Sequence, residues 1–324
     1  MPDAIHLVYG SDDNYWFYTA ISAASAAHGC SAPLTLHLFD IGISDEHYAE
    51  YERLVRRAGG AVTFVRHRLK TEDFAKFGAW KGSLVTYSRM FMAELLPGLD
   101  WAIYVDGDTL WLGDIAKLWA LRDETKLIQA SVDPPFVDGT ICPDRKWYAA
   151  QGLEIDPNAY LCMGLMMANL RKMREEKIAD GCRAFLAKYP TPGIVDQTVL
   201  NYVCKGRLTP LPKQWGVFSA WHVGVDLSDG GCVHYVTDVP WRRDKLNRLL
   251  SDIVLVWYDF AREVLGLDLL PQYVPWYGRL WRRAAFVFLK HNQWILSLHP
   301  YLRGHLRNTG GLADGRWRAI SQRT

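Results

Sequence analysis

The segment Ile103-Tyr104-Val105-Asp106-Gly107-Asp108 runs a short apolar stretch straight into two carboxylates. If that stretch is a strand, residues two apart point the same way, so Asp106 and Asp108 can face a single cation. Gly107 between them lets a phosphate-bearing ligand approach the backbone. Hard carboxylate oxygens suit Mg²⁺ or Mn²⁺, and an imidazole nitrogen added to the set tilts the choice towards Mn²⁺. A solvated turn would show the same three residues. So would a phosphatase-type D-x-D-x-T strand motif, but Thr109 follows Asp108 immediately and is out of register for it. Two further acidic positions share the setting: Asp12-Asp13 follows the apolar Ala4–Tyr9, and Asp133 follows the run LIQASV. Acidic residues at three strand ends converging on one sheet edge are not what solubility alone produces.

The elements that must position these residues alternate. Expected strands are Ala4–Tyr9, Leu34–Phe39, Ala61–Val65, Ala102–Val105, Leu127–Val132, Leu161–Leu170 and Cys232–Val236. Expected helices are Tyr15–His28, Asp45–Ala58 with Ser44 as its cap, Asp114–Leu121, about Arg171–Lys188, Val195–Val203 and Asp244–Val264. That alternation predicts an α/β fold with a mostly parallel sheet covered on both faces. In such sheets ligands bind outside the carboxyl ends of the strands.

With 324 residues, 49% of them hydrophobic and 22% charged, the chain has ample material for a core and no disordered or fibrous character. Six scattered cysteines form no C-x-x-C pair, and no signal peptide precedes the first strand, so reduced thiols in a cytoplasmic setting are expected. No apolar run is long enough to span a bilayer. The net charge of +2 conceals an asymmetry. Residues 271–324 carry nine Lys/Arg against Asp314 alone, while the first 270 residues carry 28 Lys/Arg against 34 Asp/Glu. A mildly acidic body thus ends in a basic segment rich in aromatic residues.

Several further motifs occur in order: G-S-D-D-N-Y (Gly10–Tyr15), V-T-Y-S-R-M (Val85–Met90), Y-V-D-G-D-T-L around the aspartate pair, D-Q-T-V-L-N (Asp196–Asn201) and H-Y-V-T-D-V-P-W (His234–Trp241). Over roughly Ile5–Trp241 the chain resembles glycosyltransferase family 8, retaining enzymes of the GT-A fold, and in particular the bacterial lipooligosaccharide galactosyl- and glucosyltransferases. The resemblance implies a Rossmann-like nucleotide-diphospho-sugar transferase domain over residues 1–265, followed by a helical, basic and aromatic segment over 266–324.

The resemblance also implies roles. Gly10, Asp12, Asn14 and Tyr15 would form the nucleotide loop, with the Tyr15 ring stacked on uracil. Asp106, Asp108 and His234 would hold Mn²⁺ (or Mg²⁺), and Asp106 and Gly107 would also meet the donor. Arg89 would contact the donor near its sugar and phosphates, although an arginine on a helix is more commonly a surface ion pair. Asp133 and Asp196 would accept hydrogen bonds from sugar hydroxyls, and Gln197 would lie beside the anomeric carbon, so that Gln197, Asp196 and Arg89 form the catalytic group. The chain departs from the family at Cys162-Met163-Gly164, where an N-x-G turn is usual, and at Val239, where a phosphate-binding lysine is usual. A cysteine makes a poor hydrogen-bond partner there, Met163 would narrow the pocket, and Arg242, Arg243 or Lys245 would supply the missing charge.

The activity implied is retaining transfer of galactose or glucose from UDP to a glycan acceptor, lipid-linked as in lipooligosaccharide or lipopolysaccharide. A self-glucosylating, glycogenin-like enzyme and a catalytically weak UDP-sugar-binding protein remain as alternatives. The basic aromatic tail suits the inner face of a membrane, where aromatic rings sit at headgroup level. No nucleic-acid partner is expected.

Overall fold

The structure is a computed structural model, and it describes residues 4–74, 77, 83–133, 143–218, 227, 229–236, 239–243 and 252–291. Ten strands occur among them: β1 Ile5–Asp12, β2 Leu34–Ile41, β3 Val62–Arg68, β4 Trp101–Val105, β5 Thr109–Leu112, β6 Ile128–Val132, β7 Leu161–Asn169, β8 Leu208–Pro210, β9 Trp215–Phe218 and β10 Gly231–His234. Seven form the main sheet, ordered β3-β2-β1-β4-β7-β6-β8, and β5-β10-β9 form a second, smaller sheet. The main sheet is mostly parallel, as expected, but β7 runs antiparallel to both β4 and β6. The reversal brings the first residues of β7 to the edge where β1, β4 and β6 end.

Each face of the main sheet carries its own core. Leu7 and Tyr9 of β1 face a cluster with helix Trp16–His28, whereas Val8 faces a second cluster with Met90, Met163 and Leu200. This is the period-2 alternation of a strand covered on both sides. Helix Trp16–His28 is buried continuously from Thr19 to Ala27, and its Ala and Ser side chains allow close approach to the strands beneath. Ser44 caps helix Asp45–Arg57 as expected, accepting from the His47 backbone N–H at 3.1 Å.

Boundaries differ where a side chain or backbone twist intervenes. β1 continues to Asp12 because Gly10–Asp12 stay paired with Phe39–Ile41. The single helix expected over 171–188 is two, Leu170–Glu175 and Ile178–Lys188, because Lys177 adopts a left-handed conformation with φ 52°. The helix expected from Asp244 is described over Asp252–Glu263; residues 244–251 lie outside the described residues. That helix joins the first core, as do Leu265, Leu269 and Val274, and helix Trp276–His291 follows at once.

A row of imidazoles crosses three parallel strands. His6 Nδ1 lies 3.0 Å from His37 Nε2, and His37 Nδ1 lies 3.0 Å from His67 Nε2. Burial, then its two imidazole neighbours, pushes His37 down to about 3, and burial also lowers His6 and His67. Unfolded histidines titrate near 6.5. As pH falls below that value the unfolded chain binds protons the native chain refuses, so native stability declines. His37→Asn removes one such site. The drop in unfolding free energy between about pH 7 and pH 5 should be smaller in the variant by about 2 kcal/mol. Urea denaturation at the two pH values measures it, and equal drops in both proteins refute the assignment.

Candidate functional site

Strands β2 and β3 are laid down on one side of β1, and β4 lies on the other, so the chain changes direction between β1 and β4. Ligand crevices of open α/β sheets form at such switch points. A cavity of about 680 Å³ opens there, lined by Gly10, Asp12, Asn14, Tyr15, Arg89, Asp106, Gly107, Asp108, Asp133, Asp196, Gln197 and His234.

The sheet pairing explains how His234 meets aspartates more than a hundred residues away. β10 pairs antiparallel with β5 so that His234 lies opposite Thr109, and the Tyr235 N–H donates to the Asp108 carbonyl at 2.9 Å. His234 Nε2 then sits 3.2 Å from Asp108 Oδ1 and 3.7 Å from Asp106 Oδ2. Asp106, Asp108 and His234 each offer one ligand atom, all within 4.8 Å of one another. Burial raises Asp106 to about 6 against the pull of Arg89, with Asp108 adding to the rise. Burial alone would lower His234, but Asp108 and Cys162 together more than offset it and hold the ring above its ordinary value. Two carboxylates and an imidazole crowded in this way fit a divalent cation.

Thr109 belongs to the scaffold. It is buried, its hydroxyl donates to the Asp106 carbonyl at 2.9 Å, and it lies 2.7 Å from Ser22 of the first helix. Gly107 serves that helix as well as the cavity, because a Cβ there would run into the side chain of Thr19. Gly164, at the start of β7, is required by the triad itself: a Cβ there would collide with the His234 ring and lie 2.7 Å from Asp106 Oδ2.

Arg89 is not a surface ion pair. It is 6% exposed, within a 3₁₀ segment Val85–Phe91. Its Nη2 donates to Asp106 Oδ1 at 2.5 Å, its Nη1 to the Met163 carbonyl at 2.7 Å, and its Nε lies 3.1 Å from Asp196 Oδ2. The guanidinium also covers the Tyr104 ring at 4.4 Å. Burial opposes its charge, but Asp106 and Asp196 more than restore it and raise it above its ordinary value.

On the loop that ends β1, Asp12 Oδ1 accepts from the Asn14 N–H at 3.0 Å, and the Asp12 carbonyl accepts from the Tyr15 N–H at 3.1 Å. Tyr15 presents a half-buried ring to the cavity and meets Trp241 edge-on at 5.7 Å. Asp13 turns the other way and pairs with His47 at 2.6 Å.

The far wall is built by helix Val195–Val203. Asp196 accepts from the Thr86 hydroxyl. Gln197 Nε2 donates to Asp133 Oδ2 at 2.7 Å, and its Oε1 accepts from the Met163 N–H at 3.3 Å. Met163 does not narrow the cavity, contrary to expectation: strand alternation turns its side chain into the second core, while Cys162 and Gly164 line the cavity. Cys162 Sγ lies 3.9 Å from His234 Nδ1. Arg243 lies over the Tyr273 ring at 5.8 Å, and Lys245 is outside the described residues. Thr86, Tyr104, Ile194 and Phe218 also line the cavity. Thr86 could have been found from its place in V-T-Y-S-R-M; Phe218, edge-on to His234 at 5.4 Å, follows no motif.

The sequence profile of glycosyl transferase family 8 matches residues 6–245. A Haemophilus influenzae protein provisionally described as a glycosyltransferase is 26% identical over 207 residues, which is 63% of this chain and 60% of that protein. The chain therefore spans less than two thirds of that relative. Among solved structures, the galactosyltransferase LgtC in complex with donor and acceptor sugar analogs matches with a TM-score of 0.64 at 23% identity, over 81% of this chain and 95% of that one. The bifunctional glycosyltransferase WbbM gives a TM-score of 0.66 at 18% identity, over 82% of this chain and 50% of that one. GlyE of Streptococcus pneumoniae gives 0.57 at 17% identity, over 82% and 63%. At these identities the structural likeness establishes a shared GT-A fold.

The contact at Gly164 makes a test of the metal triad that needs no substrate. Mn²⁺ should raise the Tm of the wild-type protein, by mass action on the native state. Gly164→Ala should fold in EDTA yet show no such rise, since its methyl displaces His234 and Asp106. Thermal scans with EDTA or Mn²⁺ decide, and an equal rise in both proteins counts against the triad.

Proposed function

The chain belongs to glycosyl transferase family 8, and we propose that it moves a hexose, galactose or glucose, from a UDP-sugar to a glycan acceptor with retention of anomeric configuration. What carries this reading is the meeting of the nucleotide loop, the Asp106/Asp108/His234 triad and the Asp133/Asp196/Gln197 wall at one cavity. Tyr15 would stack on the base, a contact worth on the order of 1–3 kcal/mol. Asp106, Asp108 and His234 would hold Mn²⁺ (or Mg²⁺), and the bound cation supplies positive charge to the departing diphosphate.

Retention can arise from two inversions or from displacement on one face. Two inversions need a carboxylate free to attack the anomeric carbon. Asp196 is engaged by Arg89 and Thr86, and Asp133 receives the Gln197 amide, so neither is poised as a nucleophile. That favours a same-face route. The acceptor hydroxyl attacks as the bond from the anomeric carbon to the diphosphate breaks, and its proton passes to the leaving phosphate oxygen. Gln197, held at both ends of its amide, stabilises the positive sugar centre without bonding to it.

With Mn²⁺ present, wild-type protein should hydrolyse or transfer from UDP-galactose or UDP-glucose, and Asp108→Asn should lower turnover at least 100-fold without loss of fold. Wild-type activity in that variant overturns the metal assignment. UDP binding with no turnover across a donor panel would instead favour the sugar-binding alternative.

The acceptor reading is lipid-linked. Helix Trp276–His291 exposes Trp276, Tyr277, Leu280, Val287 and Phe288, with Trp276 80% exposed. These positions recur at helical spacing in a segment that also contains Arg279, Arg282, Arg283 and Lys290. No described helix is long and apolar enough to cross a membrane. A cationic helix with an exposed apolar stripe fits an anionic lipid surface, such as the inner face of the cytoplasmic membrane. Replacing Trp276, Leu280 and Phe288 by Ser should abolish co-flotation with liposomes containing anionic lipid; undiminished flotation would rule the helix out.

A further inference from the structure

Asp196 and Gln197 reach the cavity from the first turn of helix Val195–Val203, and that turn begins on a strained residue. Val195 has φ 34°, a left-handed conformation that a β-branched side chain takes only when its surroundings impose it. No side chain from the helix's own leading residue, Ile194, caps it. The cap comes from elsewhere in the chain. Asp144, on helix Pro143–Ala150, is completely buried, and its Oδ1 accepts from the Ile194 N–H at 2.5 Å and from the Thr198 hydroxyl. The Ile194 N–H is shared with Thr198 Oγ1 at 2.8 Å. One turn further along the same helix, the Tyr148 hydroxyl donates to the Thr198 carbonyl. Gly193 lets the two segments close: a Cβ there would lie 3.1 Å from both Asp144 Cα and Trp147 Cβ.

A buried carboxyl is a costly way to fill space, and an apolar side chain would do so better. Burial pushes Asp144 up to about 7, against the pull of the Thr198 and Ile194 donors. What the carboxyl provides that an apolar group cannot is an acceptor for the N–H and hydroxyl of a turn that would otherwise relax. Relaxation of Val195 would rotate the two residues that follow it, and those residues face the sugar.

We propose that Asp144 is a positioning residue, whose carboxyl clamps the Ile194–Val195 turn and thereby sets where Asp196 and Gln197 present their side chains to the donor sugar. The assignment rests on the reading of the cavity as a nucleotide-sugar site. Asp144 does not line the cavity and touches no reacting atom; it acts through the turn. The uracil loop and the metal triad hang on β1, β4 and β10, so UDP binding should be independent of it while sugar handling is not.

The experiment compares wild type with Asp144→Ala, Asp144→Asn and Thr198→Val, using calorimetric binding of UDP and of UDP-glucose and UDP-galactose with Mn²⁺, alongside donor turnover. For Asp144→Ala, UDP affinity should stay within twofold, the difference in affinity between UDP-hexose and UDP should change at least fivefold, and kcat should fall at least tenfold. Asp144→Asn keeps an acceptor oxygen and should recover most of kcat, and Thr198→Val should fall between the two. Wild-type kcat and UDP-hexose affinity in Asp144→Ala overturn the proposal. So does an equal loss of UDP and UDP-hexose binding in all three variants, which would mark a general failure to fold. If the wild-type protein itself binds no UDP-sugar, the reading of the cavity fails and the proposal with it. Wild-type turnover left intact by Asp144→Ala defeats the positioning role alone.

Discussion

Five carboxylates, Asp12, Asp106, Asp108, Asp133 and Asp196, line one cavity, and Arg89 is the buried cation that ties two of them together. Like charges a few ångströms apart repel by several kcal/mol at the effective dielectric of a protein interior. Arg89 bridges the acidic end of β4 and the start of helix Val195–Val203, and so makes one unit of what would be two repelling groups. Its own desolvation is offset by both carboxylates, the Met163 carbonyl and the face of Tyr104. Much of the nearby geometry follows from seating that guanidinium. A Cβ at Gly10 would come within 3 Å of both Val85 and Tyr104, so β1 must carry a glycine where the Arg89 segment crosses it.

The antiparallel course of β7 complements this clamp. Strands β1, β4 and β6 deliver their carboxyl ends to the cavity, whereas β7 delivers its beginning, with Cys162 and Gly164 facing in and Met163 facing away. Backbone groups at that beginning bind both flanking walls. The Gly164 carbonyl accepts from the Asp106 N–H at 2.8 Å, and Asn201 pairs with both backbone groups of Leu161 at 2.8 Å. A strand entering from the opposite direction is therefore what joins the Asp106 side of the cavity to the wall formed by helix Val195–Val203.

Residues that meet the cavity through local pattern were legible in the sequence. Asp106 and Asp108 were legible as carboxylates directly after an apolar run, although they lie in the turn between β4 and β5 and not on a strand. Asp12 and Asp133 were legible for the same reason. His234 was legible only through resemblance, because its place beside Asp108 depends on β10 pairing with β5, a four-residue strand too short to leave a periodic signal. Arg89 was found, but its burial was not, since one arginine in V-T-Y-S-R-M gives no sign of the two carboxylates that converge on it. The orientation of β7 was invisible because an apolar run reads alike in either direction. Lys177 broke a helix in the middle of a favourable pattern, where a left-handed residue other than glycine has no marker.

Among the described residues, helix Trp276–His291 follows directly on residues packed into the first core. Tyr18 of the first helix stacks on Trp241 at 3.9 Å and meets the Tyr273 hydroxyl at 3.3 Å, and Trp241 also touches Tyr15 at the cavity. Val274 is buried in the same core, and helix Trp276–His291 starts two residues later. An apolar surface attached through a flexible linker would only raise the local concentration of a partner. One rooted in packed aromatic rings beside the Gly10–Tyr15 loop also fixes an angle. The exposed side chains of that helix are thus carried on an element that starts directly from the packed core.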